Sequence, residues 1–173
     1  GGVSGDTTLS QMLMGGGGGG GMKAYSYNVG GGGSGAGIAY IAARQIVLTG
    51  QITANGGNGG NGAQPGGGGA GGSLLIRASN VEIGVNKVIA IGGIGGTGQN
   101  MGGNGGVGRI RIEYCDSVSG TTNPAASAQK LNCYIAEQVA TSPYTTGRLN
   151  LPETFTAART YQVQYGRRHV FNG

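Results

Sequence analysis

Tryptophan is missing from this chain, histidine occurs once, and six acidic residues, four prolines and two cysteines are spread thinly over 173 positions. Each shortage removes a class of protein. Four prolines and no strict Gly-X-Y period exclude collagen. The single histidine, His169, lies four residues from the C-terminus, which leaves no basis for a Ser-His-Asp triad. Two cysteines and that histidine cannot make a structural zinc site, so no catalytic, cofactor-binding or metal-binding residue is expected. Six acids also leave few carboxylate pairs, and a carbohydrate-active enzyme on a β-helix scaffold is the remotest expectation. No Gly-Lys pair is present to form a phosphate-cradling P-loop, and there is no Asn-x-Ser/Thr glycosylation site. No apolar run approaches the ~20 residues that a membrane-spanning helix needs. The chain opens on Gly1-Gly2-Val3-Ser4 rather than on a signal peptide, as a processed or excerpted piece would.

What is abundant is glycine, 43 residues of it. Disorder is a poor fit to this excess, because the chain is 37% hydrophobic and only 10% charged. The net charge of +5 is carried by scattered residues, and only Arg109/Arg111 and Arg167/Arg168 lie close in sequence. No basic stripe results, and nucleic acid is not an expected partner. Composition breaks near residue 108: all but four glycines precede it, and eleven of the seventeen charged residues follow it. Residues 1–108 therefore read as a glycine-rich repeat region and 109–173 as a small β-rich C-terminal region.

Within the first region the chain repeats. Residues 31–60, GGGSGAGIAYIAARQIVLTGQITANGGNGG, align with 67–96, GGGAGGSLLIRASNVEIGVNKVIAIGGIGG, and a truncated third copy starts at residue 102. Ile41 falls on Ile76, Ala43 on Ala78, Ile46 on Val81 and Ile52 on Val88, while Ile110 and Ile112 fall on Leu74 and Ile76. The period is 35 to 36 residues. Each copy holds a glycine run, a β-like segment, a turn, a second β-like segment and another glycine run. Alternation in IVL and VEI argues for strands, and Thr49-Gly50-Gln51 suits a hairpin or a solenoid corner.

Ordered glycine runs have a physical rationale. In the extended threefold conformation of polyproline II, N–H and C=O groups point outward in three directions. Runs without side chains can approach closely enough to bond to one another. The expected fold is all-β: a glycine-rich repeat β-solenoid or sandwich with packed polyglycine II-like segments, followed by a small β region. The glycines expected in close contacts are Gly31, Gly32, Gly33, Gly67, Gly68, Gly69, Gly102 and Gly103, and valine at Gly68 or Gly103 is expected to be costly. Gly93-Ile94-Gly95-Gly96-Thr97-Gly98 matches G-x-G-x-x-G, but no βαβ unit surrounds it, and chance explains the match.

In the C-terminal region, Arg109 to Tyr114 and Tyr161 to Tyr165 alternate as half-buried strands do. Cys115 and Cys133 suit one disulfide closing a short loop; the alternative is a pair of buried thiols. A disulfide favours an oxidising, extracellular setting. The last segment, with Tyr161, Val163, Tyr165, Val170 and Phe171, either completes its own sheet or is donated to a neighbouring subunit.

The motif of a glycine run followed by SLLIRA or IAYIAA, then V/I-x-I/L and GGNGG, resembles glycine-rich tandem repeats of bacterial secreted and cell-surface proteins. That resemblance covers Gly30 to Tyr114 and implies an extracellular structural or adhesive role. The leading expectation is a structural subunit of an extracellular filament, fibre or sheath, with copies of itself as partner and no membrane insertion. The alternative is a cell-surface or phage adhesin presenting Tyr25, Tyr27, Tyr40 or Tyr144 to glycans.

Overall fold

The computed structural model describes residues 5–22 and 28–133. Residues Gly1–Leu131 make one compact unit. Seven strands follow in chain order: β1 (Ile38–Val47), β2 (Ile52–Thr53), β3 (Ser73–Glu82), β4 (Val88–Ile89), β5 (Arg109–Ser119), β6 (Thr122–Asn123) and β7 (Ser127–Lys130). They form two sheets, ordered β1-β3-β5-β7 and β2-β4-β6, and every pairing within them is parallel.

The pairing follows the sequence repeat. Ile41 lies beside Ile76, Ala43 beside Ala78 and Ile46 beside Val81. Leu74 lies beside Ile110, Ile76 beside Ile112, and Ile52 beside Val88. Equivalent positions are side by side because a parallel register carries each strand past its own copy one repeat later. One irregularity interrupts the β3–β5 ladder, between Ala78 and Asn80.

Alternation along β3 sends Leu74, Ile76, Ala78 and Val81 into the core, where they meet Ile110 and Ile112 of β5 and Val88 of β4. Ile76, Ile83, Val88 and Ala90 lose all contact with solvent. Full burial of such an aliphatic side chain stabilises by about 1.5–3 kcal/mol. The core thus draws its residues from both sheets, and β3, flanked on both sides, contributes most of them. By contrast β1 is an edge strand, with Ile38, Tyr40 and Val47 exposed.

Two expectations from sequence are corrected here. There is no hairpin at Thr49-Gly50-Gln51: that turn carries the chain out of the larger sheet and into the smaller one. The fold is also not a β-solenoid or sandwich. Such folds carry sheet through most of every turn, whereas strand accounts for only about 36% of this structure and the strands are short. Much of the rest of each repeat is extended, glycine-rich chain. The composition break at residue 108 coincides with the start of β5 at Arg109, which pairs with β3 from Ser73↔Arg109 to Glu82↔Ser119. Cys115 and Cys133 are joined as a disulfide. The terminal strand expected at Tyr161, Val163, Tyr165, Val170 and Phe171, and also Tyr25, Tyr27, Tyr144 and His169, lie outside the described residues.

Candidate assembly site in the glycine lattice

Six extended runs make up the glycine part of the molecule: residues 15–21 (run 1), 30–36 (run 2), 54–62 (run 3), 66–72 (run 4), 90–98 (run 5) and 102–108 (run 6). Run 4 is the centre. The N–H groups of Gly66, Gly69 and Gly72 donate to the carbonyls of Gly60, Gly57 and Ala54 in run 3, at 2.8–3.0 Å. Gly67 and Ala70 donate to Gly19 and Gly16 in run 1, both at 2.8 Å. Gly68 and Gly71 donate to Gly103 and Gly106 in run 6, both at 2.9 Å. Every third residue therefore faces the same neighbour, as a threefold helix requires. Run 4 also accepts from Gly33 and Ala36 of run 2, and from Gly93 and Gly96 of run 5. One extended chain is bonded to five others.

Buried backbone groups must find partners, and in run 4 all seven N–H groups have one. That satisfaction depends on missing side chains. A Cβ at Gly66, Gly69 or Gly72 would overlap the backbone of run 2 or the segment after it, and one at Gly68 or Gly71 would overlap run 5. Conformational freedom is not the reason for these glycines, since among the described glycines positive φ occurs only at Gly5, Gly84 and Gly120. Proximity is.

The eight glycines singled out from sequence divide accordingly. Gly32, Gly33, Gly68, Gly69 and Gly102 sit where a Cβ would come within 3.0 Å of backbone atoms of another run. Gly31 and Gly103 do not: a Cβ there would meet nothing within 4 Å. Gly67 is intermediate, with Gly103 O at 3.4 Å and Gly19 N and O at 3.6 Å. The expectation that valine at Gly103 is costly is corrected, because that residue turns its Cβ direction away from the lattice.

Asparagine finishes the lattice where neighbours run out, a role that the sequence reading missed. Asn55, Asn58 and Asn61 accept through Oδ1 from the N–H groups of Ile91, Ile94 and Thr97, at 2.9–3.0 Å, each pair 36 residues apart. Asn104 Oδ1 accepts from Gly95 N at 2.9 Å. These amides take the place of a missing run. The signal was present in N-x-x-N-x-x-N, whose three-residue spacing marks one face of a threefold run.

A polar cluster occupies the larger sheet beside the lattice. Glu113 of β5 takes a 2.6 Å ion pair from Arg77 of β3 and a 3.1 Å pair from Arg111. Arg111 also donates to Ser127 Oγ at 3.2 Å and to Gln129 Oε1. Partial burial pushes the Glu113 carboxyl up, but the two guanidinium groups outweigh it and hold the carboxyl below its ordinary range. Glu113 in turn raises Arg77. Nearby, Asp116 accepts from Asn80 Nδ2 at 3.5 Å. Among the described residues no group of three His, Cys, Asp or Glu could hold a metal ion, and no helix is long and apolar enough to cross a membrane. Compared with protein-family models, curated proteins and solved structures, the chain matches none.

Proposed function

We propose that this chain is a structural subunit of an extracellular filament, fibre or sheath, whose partners are further copies of itself. The observation that carries the reading is run 4, an extended chain bonded to five others with every N–H satisfied. A lattice of that kind gives mechanical rigidity without a large apolar core. The Cys115–Cys133 disulfide supports an oxidising compartment. In this reading the Arg77–Glu113–Arg111 cluster braces the sheet, and no residue has a catalytic role.

Electron microscopy of the purified protein at increasing concentration tests the reading. Ordered polymers are the expected outcome. A species that shows no polymer at any concentration overturns it.

A further inference from the structure

The runs that reach the surface differ in what they turn outward. Run 3 exposes Asn55, Asn58 and Asn61, run 5 exposes Ile91, Ile94 and Thr97, and run 6 exposes Asn104 and Val107. Run 2 exposes Gly31, Gly32 and Ser34, so its bare stretch is short and is interrupted by the Ser34 side chain. In each of these a side chain stands where another extended chain would have to approach. Run 1 is the exception. Its outward residues, Gly16, Gly17, Gly19 and Gly20, are all exposed and carry no side chain. A Cβ at Gly16 or Gly19 would meet nothing within 4 Å.

The backbone of run 1 is also unfinished. Gly15, Gly18 and Gly21 donate to run 2, but among the described residues the N–H groups of Gly16, Gly17, Gly19 and Gly20 have no backbone acceptor. Two large apolar side chains bracket the bare stretch, Met14 at 69% exposure and Met22 at 80%. Unburied apolar groups flanking a strip of unpaired backbone mark an interaction surface.

We infer that the outer face of run 1 is a self-association surface, and that its occupant is run 1 of a second copy of this chain. Only a run with a bare outer face can approach closely enough to bond, and in this chain run 1 is the run that has one along its length. Antiparallel pairing is the mode the molecule already uses between runs 1 and 2, where Gly15, Gly18 and Gly21 donate to Ala36, Gly33 and Gly30. Pairing two copies antiparallel about Gly18 sets Met14 of one beside Met22 of the other at both ends. The contact is isologous, so it closes a two-fold dimer rather than an open chain. It rests on the filament reading only in supplying the unit from which a polymer is built. Nine residues a side is a small interface, and association is weak, in the range of transient complexes.

Sedimentation equilibrium of the full chain, from micromolar to millimolar concentration, tests this. The wild type dimerises, and the double variant Gly16→Val/Gly19→Val dimerises at least ten-fold more weakly with an unchanged melting temperature, since a Cβ at either position meets nothing within 4 Å and the backbone bonds that Gly16 and Gly19 accept from Ala70 and Gly67 do not involve a side chain. If that variant fails to fold, Met14→Lys/Met22→Lys gives the decision by placing like charges at both ends of the contact. A wild type that stays monomeric to millimolar concentration overturns the inference, and so does a folded variant of either kind that dimerises as the wild type does. Polymers seen by microscopy and unaffected by these substitutions overturn the run 1 contact while leaving the filament reading standing. Dimers lost on substitution, in a protein that never forms polymers, overturn the filament reading and support the contact.

Discussion

Alanine at Gly68 places one methyl group inside the lattice, at its central run. The new Cβ lies within 3.0 Å of the Gly93 carbonyl and 3.1 Å from Gly105 N, so runs 4, 5 and 6 have to move apart. Overpacking of this kind costs about 1–3 kcal/mol. The displacement also lengthens the bonds Gly68 N to Gly103 O and Gly93 N to Gly69 O, and a buried group left unpaired costs a further ~1–3 kcal/mol. Together these give about 2–6 kcal/mol, a large part of the roughly 5–15 kcal/mol that separates folded from unfolded domains. Gly103→Ala supplies the control, because its Cβ meets nothing within 4 Å and Gly103 is not among the positive-φ residues. There alanine restricts only the unfolded chain and stabilises by about 0.4–1 kcal/mol. Urea unfolding followed by circular dichroism measures both changes, and the m-value reports whether the native state has loosened. Equal stability of the two variants, or a Gly68→Ala midpoint matching the wild type, refutes the close-packing argument.

Two further outcomes are expected. Asn58→Ala removes the amide that caps Ile94 N, and because the site is exposed the loss is modest, about 0.5–1 kcal/mol; the triple change Asn55→Ala/Asn58→Ala/Asn61→Ala costs roughly the sum, and amide hydrogen exchange at Ile91, Ile94 and Thr97 accelerates. Glu113 has a depressed folded-state pKa, so its stabilising contribution is fully present above the ordinary carboxyl value of 4.5 and disappears as pH falls through the lower folded value. Melting temperatures measured across that acid range fall for the wild type and fall less for Glu113→Gln; identical profiles contradict the assignment.

The sheet register was legible in the sequence because identical environments recur one repeat apart: Ile41 and Ile76, or Leu74 and Ile110, occupy equivalent places in a parallel ladder. The direction of the ladder was less so, since Thr49-Gly50-Gln51 has turn chemistry whichever sheet the next strand joins. Glycine itself hides the most. A threefold run has three faces, and when all three carry hydrogen the sequence gives no sign of which face is inside; Gly31 and Gly103 are open while Gly32 and Gly102 are packed. Side chains break that silence. Asn55, Asn58 and Asn61 mark an outer face by their spacing, and Ala70 is tolerated on the side of run 4 where Gly67, three residues earlier, has only ordinary van der Waals neighbours. The break in composition at residue 108 marks the end of the glycine runs, and the sheet passes through it because backbone pairing is indifferent to the change in side-chain chemistry.

The 36-residue separation of the asparagine caps from the N–H groups they cover also restricts how such a chain can change length. A strand shows the same face every two residues and an extended run every three, and 36 is a multiple of both. Deleting or inserting one residue within a run turns everything beyond it by about 120°, which moves bare hydrogens outward and puts methyl or amide groups into the lattice. Changes of three residues leave every face where it was and merely lengthen the runs by about 9 Å. Growth and shrinkage of the extended runs are therefore quantised, in steps of nine nucleotides of coding sequence, while the strands and turns between them absorb single residues, as the 35-residue offset between Ile41 and Ile76 shows.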